Sequence, residues 1–213
     1  MKTLNIAKYS VIGFILILIV LHILNTEIDP TWQPISEYAL GKIGWLMNIA
    51  FMLLGLSFFL MGIYLFKNIK SLGAKIGGIL LMLSAIGNFL AGIFNTDPVN
   101  TLPAQMTTSG NIHVAGAGLL GFMILATLFI TYQFYKQEQL RPYRVQVLMA
   151  TILVWILEIV MISAMAVYLS DTNGMLTPET PIGGIGRLVI LACSIWVIII
   201  TSTFQKAIQK NNN

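Results

Sequence analysis

Charged residues are scarce in this chain. Asp, Glu, Lys and Arg make up 9% of its 213 residues, whereas hydrophobic residues make up 57%. Soluble domains carry about 25% charged residues. The shortage excludes an ordinary soluble domain and indicates that a lipid bilayer is the solvent of most of the chain.

Cysteine and histidine are nearly as scarce. Cys193 is the single cysteine, so an intrachain disulfide is excluded. The two histidines, His22 and His113, do not form the closely spaced pair of a zinc-binding helix, and nothing else supports a bis-histidine haem. The sequence also lacks a Walker A loop, a dinucleotide-binding glycine motif and a Gly-x-Ser-x-Gly elbow. We therefore predict no cofactor and no metal ion.

Six apolar runs account for most of the sequence. A helix needs about 20 largely apolar residues to cross the hydrocarbon core of a bilayer. The connecting stretches are too short for a separate soluble domain, so we predict one transmembrane domain over residues 1–213. The fold class is an all-α integral membrane protein, a six-transmembrane-helix bundle in the cell membrane. The predicted spans are residues 9–25, 43–66, 76–94, 112–135, 147–169 and 185–204.

The charges are sorted between the two ends of these spans. Ten of the twelve Lys and Arg residues lie on one side, and six of the eight acids lie on the other. The positive-inside rule places the basic side in the cytoplasm. We therefore predict three helical hairpins with both termini cytoplasmic and outer loops at residues 26–42, 95–111 and 170–184. The same rule explains the sequence pI of about 9.2, so we expect membrane lipids as partners and no nucleic acid.

Each outer loop contains a helix-capping residue followed by proline, at residues 29–30, 97–98 and 177–178. Proline is favoured at the first position of a helix, because its missing N–H would have no partner there. The pattern predicts short helices on the outer surface that begin at these prolines.

Glycines concentrate in spans three and four. Small residues let membrane helices approach closely, so these two spans are predicted to pack tightly. A glycine-lined conduit is the alternative interpretation. The glycines concerned are Gly73, Gly77, Gly78, Gly87, Gly92, Gly116, Gly118 and Gly121.

Glu158 lies near the middle of span five. An ionised carboxylate at this depth costs about 2.5 to 3.5 kcal/mol on insertion scales, so we expect it to be protonated, paired or beside water. It can be a buried structural hydrogen-bonding group or an acid that relays protons or gates a substrate. The polar side chains expected near it are Asn48, Ser57, Ser84 and Asn88.

Two outer charges lie at helix ends with unfavourable dipoles. Asp97 follows the end of span three, where the dipole is partly negative, and Arg187 opens span six, where it is partly positive. We expect them to pair with each other, or Arg187 with Glu37. The structural alternatives are that Arg187 extends to the lipid headgroups and that Asp97 caps a helix at Pro98.

A candidate ligand site follows from these charges. Arg187 and His113 can receive an anionic group, while Glu37 and Asp97 orient them or exchange a proton. Ser36 and Tyr38 flank Glu37 in the same loop. These six residues are the predicted ligand-binding set, and no catalytic residue is assigned.

Several motifs recur near the predicted outer face. They are DPTWQPISEYALG at residues 29–41, GWLM at 44–47, GIFNTDP at 92–98, His113 and the pair at 186–187. In these motifs the chain resembles a family of small bacterial and archaeal membrane proteins called domain of unknown function 998. The resemblance covers nearly the whole chain and implies a six-span bundle with its motifs on the outer face. It implies no activity.

The six-span plan is also similar to that of ceramidase-like membrane hydrolases. Those zinc sites use three histidines with a serine and an aspartate, and this chain has two histidines in total. The resemblance therefore implies no complete zinc site of that kind.

Three functions remain open. The leading hypothesis is a non-enzymatic membrane protein that binds or transports a small or lipidic anionic ligand at its outer face. The second is an outer-leaflet lipid-modifying hydrolase, with Ser36 or water as nucleophile and His113 or Glu37 as base. The third is a structural or accessory membrane subunit, in which the outer acids and Arg187 fix the helix ends. The sequence does not predict an oligomeric state.

Overall fold

A computed structural model describes residues 1–172 and 174–212, and in that part of the chain it is all-helical with no strand. Six helical segments are long and apolar enough to cross a membrane. The fourth of these segments, Thr108–Lys136, is formed by two helices, α4 and α5. The α-helices are α1 Lys2–Leu24, α2 Trp45–Asn68, α3 Leu72–Ile93, α4 Thr108–Gly118, α5 Gly121–Lys136, α6 Arg144–Asp171 and α7 Ile182–Asn212.

Neighbouring helices in the chain pack against each other, and α7 returns to contact α1, so the bundle closes on itself. In the fourth span, α4 packs against α3, whereas α5 packs against both α3 and α6. The interior is filled by large side chains that include Phe14, Phe58, Phe134 and Trp196. Leu, Ile and Val side chains cover much of the outside, as a lipid environment requires.

The close packing predicted for spans three and four is confirmed at one pair of glycines. A Cβ atom on Gly87 would lie 2.3 Å from the carbonyl oxygen of Gly116. Gly73 and Gly77 of α3 also face the fourth span, at Gln133 and Ile130 of α5. Three other glycines do not take part in this contact. Gly78 faces Gly62 of α2, with 2.9 Å from its would-be Cβ to that carbonyl oxygen, and Gly118 and Gly121 face open space.

The fourth span is interrupted, although the sequence predicts one continuous helix over residues 112–135. The amides of Leu119 and Leu120 bond to carbonyls three residues earlier, at 3.0 Å each, instead of four. Glycine is a weak helix former, and Gly116, Gly118 and Gly121 surround the break. Short tight turns of this kind within a helix mark hinges or strained segments.

Helices α1 and α7 extend beyond their predicted spans towards the two termini. Hydropathy identifies only the apolar part of a helix, and polar turns continue both helices. Side chains tie these turns together, because Gln205 donates to Asn5 at 2.6 Å and accepts from Lys8 at 3.2 Å. This end of the bundle also contains the loops after α2 and α5, and we call it the basic end.

The loops after α1, α3 and α6 meet at the opposite end, which we call the acidic end. Short helices do form in two of these loops, over Ile35–Leu40 and Pro103–Gln105. They do not begin at the prolines predicted from the sequence. The carboxylate of Asp29 instead accepts hydrogen bonds from the backbone and hydroxyl of Thr31, at 2.9 and 2.6 Å, which forms a turn.

The contact between Gly87 and Gly116 leads to a stability prediction. Gly87→Ala is expected to lower the free energy of unfolding by about 1–3 kcal/mol, because two backbones must separate. Gly118→Ala is the matched control, since its Cβ meets nothing within 4 Å. Thermal unfolding of both variants in detergent, followed by tryptophan fluorescence, measures the difference. Equal melting temperatures for the two variants would contradict the packing described.

Candidate functional site

Arg187 lies one turn into α7 at the acidic end and joins three parts of the chain. Its Nε donates to Nε2 of His22 at 2.8 Å, which links α7 to α1. Its Nη1 donates to the carbonyl oxygens of Pro30 and Gly183, at 3.0 Å each, and to that of Gln33. The guanidinium therefore holds the start of α7 and the end of α1 against the loop after α1.

The remaining nitrogen of Arg187 is less fully occupied. Nη2 donates to the hydroxyl of Tyr38 at 3.4 Å, and the guanidinium carbon lies 5.6 Å from the centre of that ring. Tyr38 is 1% exposed, and the ring of His22 packs against it at 5.1 Å between centroids. Every hydrogen-bond partner described for Arg187 is a neutral group. The expected pairing of Arg187 with Asp97 or Glu37 is therefore wrong.

His22 is held in one tautomer by its neighbours. Its Nδ1 lies 2.7 Å from the carbonyl oxygen of Leu18, which can only accept, so the ring proton is on Nδ1. Nε2 is then the acceptor for Arg187. His22 belongs to the site, although the sequence suggested it only as a candidate metal or haem ligand. Its position at the same membrane depth as Arg187 was the available signal.

Glycine permits the close docking of α7 on the first loop. The amide of Gly184 donates to the carbonyl oxygen of Thr31 at 2.7 Å. A Cβ on Gly183 would lie 2.5 Å from the carbonyl carbon of Trp32 and 2.6 Å from the carbonyl oxygen of Gln33. No side chain fits there without moving the backbone, so Gly183 brings these carbonyls within reach of Arg187.

Glu37 joins two loops instead of orienting Arg187. Its carboxylate accepts from the amide of Val99 at 2.7 Å and from the side chain of Gln33 at 3.5 Å. The residue is 5% exposed. Burial raises the pKa of the Glu37 carboxyl, and the bonds from Val99 and Gln33 oppose that rise less strongly.

Asp97 is used as a helix cap, which resolves its unfavourable position after α3. Its carboxylate accepts from the amide and hydroxyl of Thr107 at 2.7 and 2.8 Å, at the start of α4. There the next helix presents its partly positive end. Gly110 leaves room for this carboxylate, because a Cβ there would lie 2.0 Å from it. The expected capping role is thus present, but at Thr107 and not at Pro98.

His113 belongs to α4, and its side chain is buried. It is 4% exposed, its Nδ1 lies 2.8 Å from the carbonyl oxygen of Phe94, and its ring meets Phe51 edge-on at 5.8 Å. A carbonyl only accepts, so Nδ1 carries the proton in the neutral ring. Nε2 takes part in none of the described hydrogen bonds.

A cavity of about 270 Å³ brings three of the predicted ligand-binding residues together. Ser36, His113 and Arg187 line it, and we call it the Arg187 cavity. The rest of its lining is apolar or glycine, apart from backbone groups. Glu37, Tyr38 and Asp97 do not line it. Tyr38 packs against the guanidinium of Arg187, while Glu37 and Asp97 accept hydrogen bonds from loop residues.

Glu158 lines a second cavity, of about 420 Å³, deeper in the bundle. The four polar residues expected near it, Asn48, Ser57, Ser84 and Asn88, do not line this cavity. Ser57 donates to the carbonyl oxygen of Ala7 at 2.7 Å, and Asn88 donates to that of Ser84 at 3.0 Å. None of the described hydrogen bonds involves the Glu158 carboxyl group. We call this second cavity the Glu158 cleft.

The part of the chain that the structure describes contains no group of three or more His, Cys, Asp and Glu side chains placed to hold a metal ion. The lipid-hydrolase hypothesis therefore gains no metal site from the geometry. A metal-free serine mechanism would need a base beside Ser36, and the described hydrogen bonds of His113 and Glu37 go to other groups.

A family model described as "Protein of unknown function (DUF998)" matches residues 10–203, which is most of the chain. No curated protein and no solved structure matches significantly.

The environment of Glu37 predicts a pH-dependent stability. Folding raises the pKa of the Glu37 carboxyl. Its contribution to the free energy of unfolding is therefore largest below the unfolded pKa and is lost as the pH rises through the folded pKa. Glu37→Gln keeps an acceptor for Val99 and removes the charge, so its melting temperature relative to wild type should rise as the pH increases above the ordinary glutamate pKa of about 4.

Two further variants control that measurement. Glu37→Ala leaves the amide of Val99 without its acceptor and should cost about 1–3 kcal/mol at every pH. Glu27→Gln is the matched control, because it removes an exposed acid from the same loop. A wild-type profile parallel to that of Glu37→Gln would show that burial does not affect this carboxyl.

Proposed function

We propose that this chain, which belongs to the DUF998 family of membrane proteins of unknown function, binds an anionic group in the Arg187 cavity. One observation carries the proposal: Arg187 lines a largely apolar cavity, and the described hydrogen bonds of its permanently charged guanidinium all end on neutral groups. The proposed role is to bind, and in its fuller form to transport, a small or lipidic anion.

Electrostatics supports this assignment. Removing a charge from water is costly unless an opposite charge or several hydrogen bonds compensate. Carbonyl dipoles supply part of that compensation at Arg187, but no carboxylate is among its hydrogen-bond partners. Asp29 is the acid nearest in sequence to these carbonyls. Hydrogen bonds from Thr31 are the main cause of its lowered pKa, and the charge of Arg187 contributes least. An anionic ligand would complete the neutralisation.

Arg187 also has donor capacity left for such a ligand. A guanidinium carries five N–H donors, and the described bonds occupy Nε and Nη1 fully. Nη2 has two N–H groups and one long bond, to Tyr38 at 3.4 Å. Arginine binds carboxylate and phosphate groups through donors of this kind.

His113 and Ser36 add polar side chains to the same cavity lining. The Nδ1 of His113 is engaged with Phe94, which leaves its Nε2 outside the described hydrogen bonds. The Ser36 hydroxyl can donate a hydrogen bond to an anion. The three side chains thus provide a cation, an imidazole nitrogen and a hydroxyl donor.

The proposed orientation follows from charge. We place the acidic end outside the cell membrane and the basic end with both termini in the cytoplasm, with the six spans arranged as three hairpins, because cytoplasmic loops are enriched in Lys and Arg. The Arg187 cavity would then face the outer leaflet and the exterior.

A structural clasp is the second candidate function. The bonds from Arg187 to His22, Pro30 and Gly183 favour it, because they fix α7 against α1 and the first loop. The clasp and the anion site make different predictions for a variant that keeps the charge.

Arg187→Lys and Arg187→Gln separate the two functions. Both variants lose the bonds of the planar guanidinium, so both should unfold at a lower temperature than wild type. If the charge binds anions, dihexanoyl phosphatidic acid should stabilise wild type and Arg187→Lys, whereas Arg187→Gln should bind it at least about tenfold more weakly, or about 1.4 kcal/mol.

Thermal shift and isothermal titration in a neutral detergent measure these affinities. Dihexanoyl phosphatidylcholine, which is zwitterionic, and inorganic phosphate serve as comparison ligands. Equal binding of the anionic lipid by wild type and Arg187→Gln would contradict the anion site and leave the clasp as the role of Arg187.

A further inference from the structure

The two cavities lie next to each other and share part of their walls. The Arg187 cavity and the Glu158 cleft share five lining residues, which come from the fourth span, α6 and α7. Along α7 the combined lining begins at Ile182 and ends at Cys193, and its part from Arg187 to Cys193 spans roughly 9 Å at 1.5 Å per residue. The shared residues are Ala117, Leu120, Met161, Gly186 and Ile190.

The break in the fourth span opens this space to the side of the bundle. Gly118 and Gly121 line the Glu158 cleft and are exposed. A Cβ added at either glycine would meet no atom within 4 Å. Opposite them, Met165 of α6 is also exposed. Because α4 packs against α3 while α5 packs against α6, the fourth span and α6 separate on the side of the break nearer the acidic end. The opening lies between membrane-spanning helices and faces lipid.

The walls of the cleft suit a flexible apolar chain. Met161 and Met165 are unbranched side chains that adapt to irregular shapes. Phe58 and Ile190 add apolar surface, and Glu158 contributes the one carboxyl group of the described lining. A volume of about 420 Å³ falls within the range of roughly 300–1,000 Å³ typical of small-molecule sites.

We infer that the ligand is a membrane lipid with an anionic headgroup, whose head occupies the Arg187 cavity and whose chain lies in the Glu158 cleft. This inference rests on the anion site proposed above. The lipid enters sideways from the bilayer between the fourth span and α6, so its chain stays in an apolar environment throughout. A small soluble anion would occupy only the Arg187 cavity and would make no contact with the Glu158 cleft.

Filling the cleft without touching Arg187 tests the inference. Gly118→Leu and Gly121→Leu place side chains in open space that lines the cleft, so both variants should fold. Ala115→Leu is the matched control, because Ala115 is an exposed residue of α4 that does not line either cavity. Helical content and melting temperature confirm that each variant is folded.

The probes are dioleoyl and dihexanoyl phosphatidic acid, which share a headgroup and differ in chain length. Native mass spectrometry measures the affinity of each variant for each probe. Both glycine variants should bind the dioleoyl lipid at least about tenfold more weakly than wild type, which corresponds to losing the burial of roughly two methylene groups. Their affinity for the dihexanoyl lipid should stay within about twofold of wild type, and Ala115→Leu should match wild type for both.

Three outcomes would overturn the inference, and they differ in what they leave standing. Unchanged dioleoyl binding in both glycine variants would place the chain elsewhere. Equal wild-type affinity for the two probes would mean that the chain contributes nothing, while the anion site survives. Failure of wild type to bind either probe would remove the anion site as well.

Discussion

The hydrogen bonds of Arg187 are the constraint on which the acidic end depends. One guanidinium fixes the start of α7 to the backbone of the first loop and, through His22, to the end of α1. Gly183 makes this possible because no larger residue lets the backbones approach so closely. The α1–α7 contact that closes the bundle is therefore held at both ends, by Arg187 here and by Gln205 at the basic end.

The same arrangement gives the site its chemistry. A guanidinium held by carbonyls and a neutral imidazole keeps its charge, and Arg187 lines a cavity whose other residues are mostly apolar. The adjacent Glu158 cleft lies beside the break at Gly118 and extends towards Glu158. A cation above and an apolar cleft below match the two halves of an anionic lipid, which is the basis of both proposals.

The sequence predicted the six spans well, because helix length and hydropathy follow directly from composition. It also singled out Arg187 and His113, since charged and titratable groups near apolar spans are costly and conspicuous. It failed on partners. Whether Asp97 meets Arg187 or Thr107 depends on how loops cross between helices. The break beside Gly118 comes from the weak helix propensity of glycine, which a hydropathy pattern does not reveal.

An experimental structure of the protein purified from its own membrane would test the central claim most directly. The account predicts density for an anionic headgroup within hydrogen-bonding distance of Nη2 of Arg187, continuing as a chain past Gly118 towards Glu158. A well-ordered Arg187 paired with a carboxylate of the protein, with the fourth span and α6 closed against each other, would contradict it. In that case the guanidinium would act as a structural clasp alone.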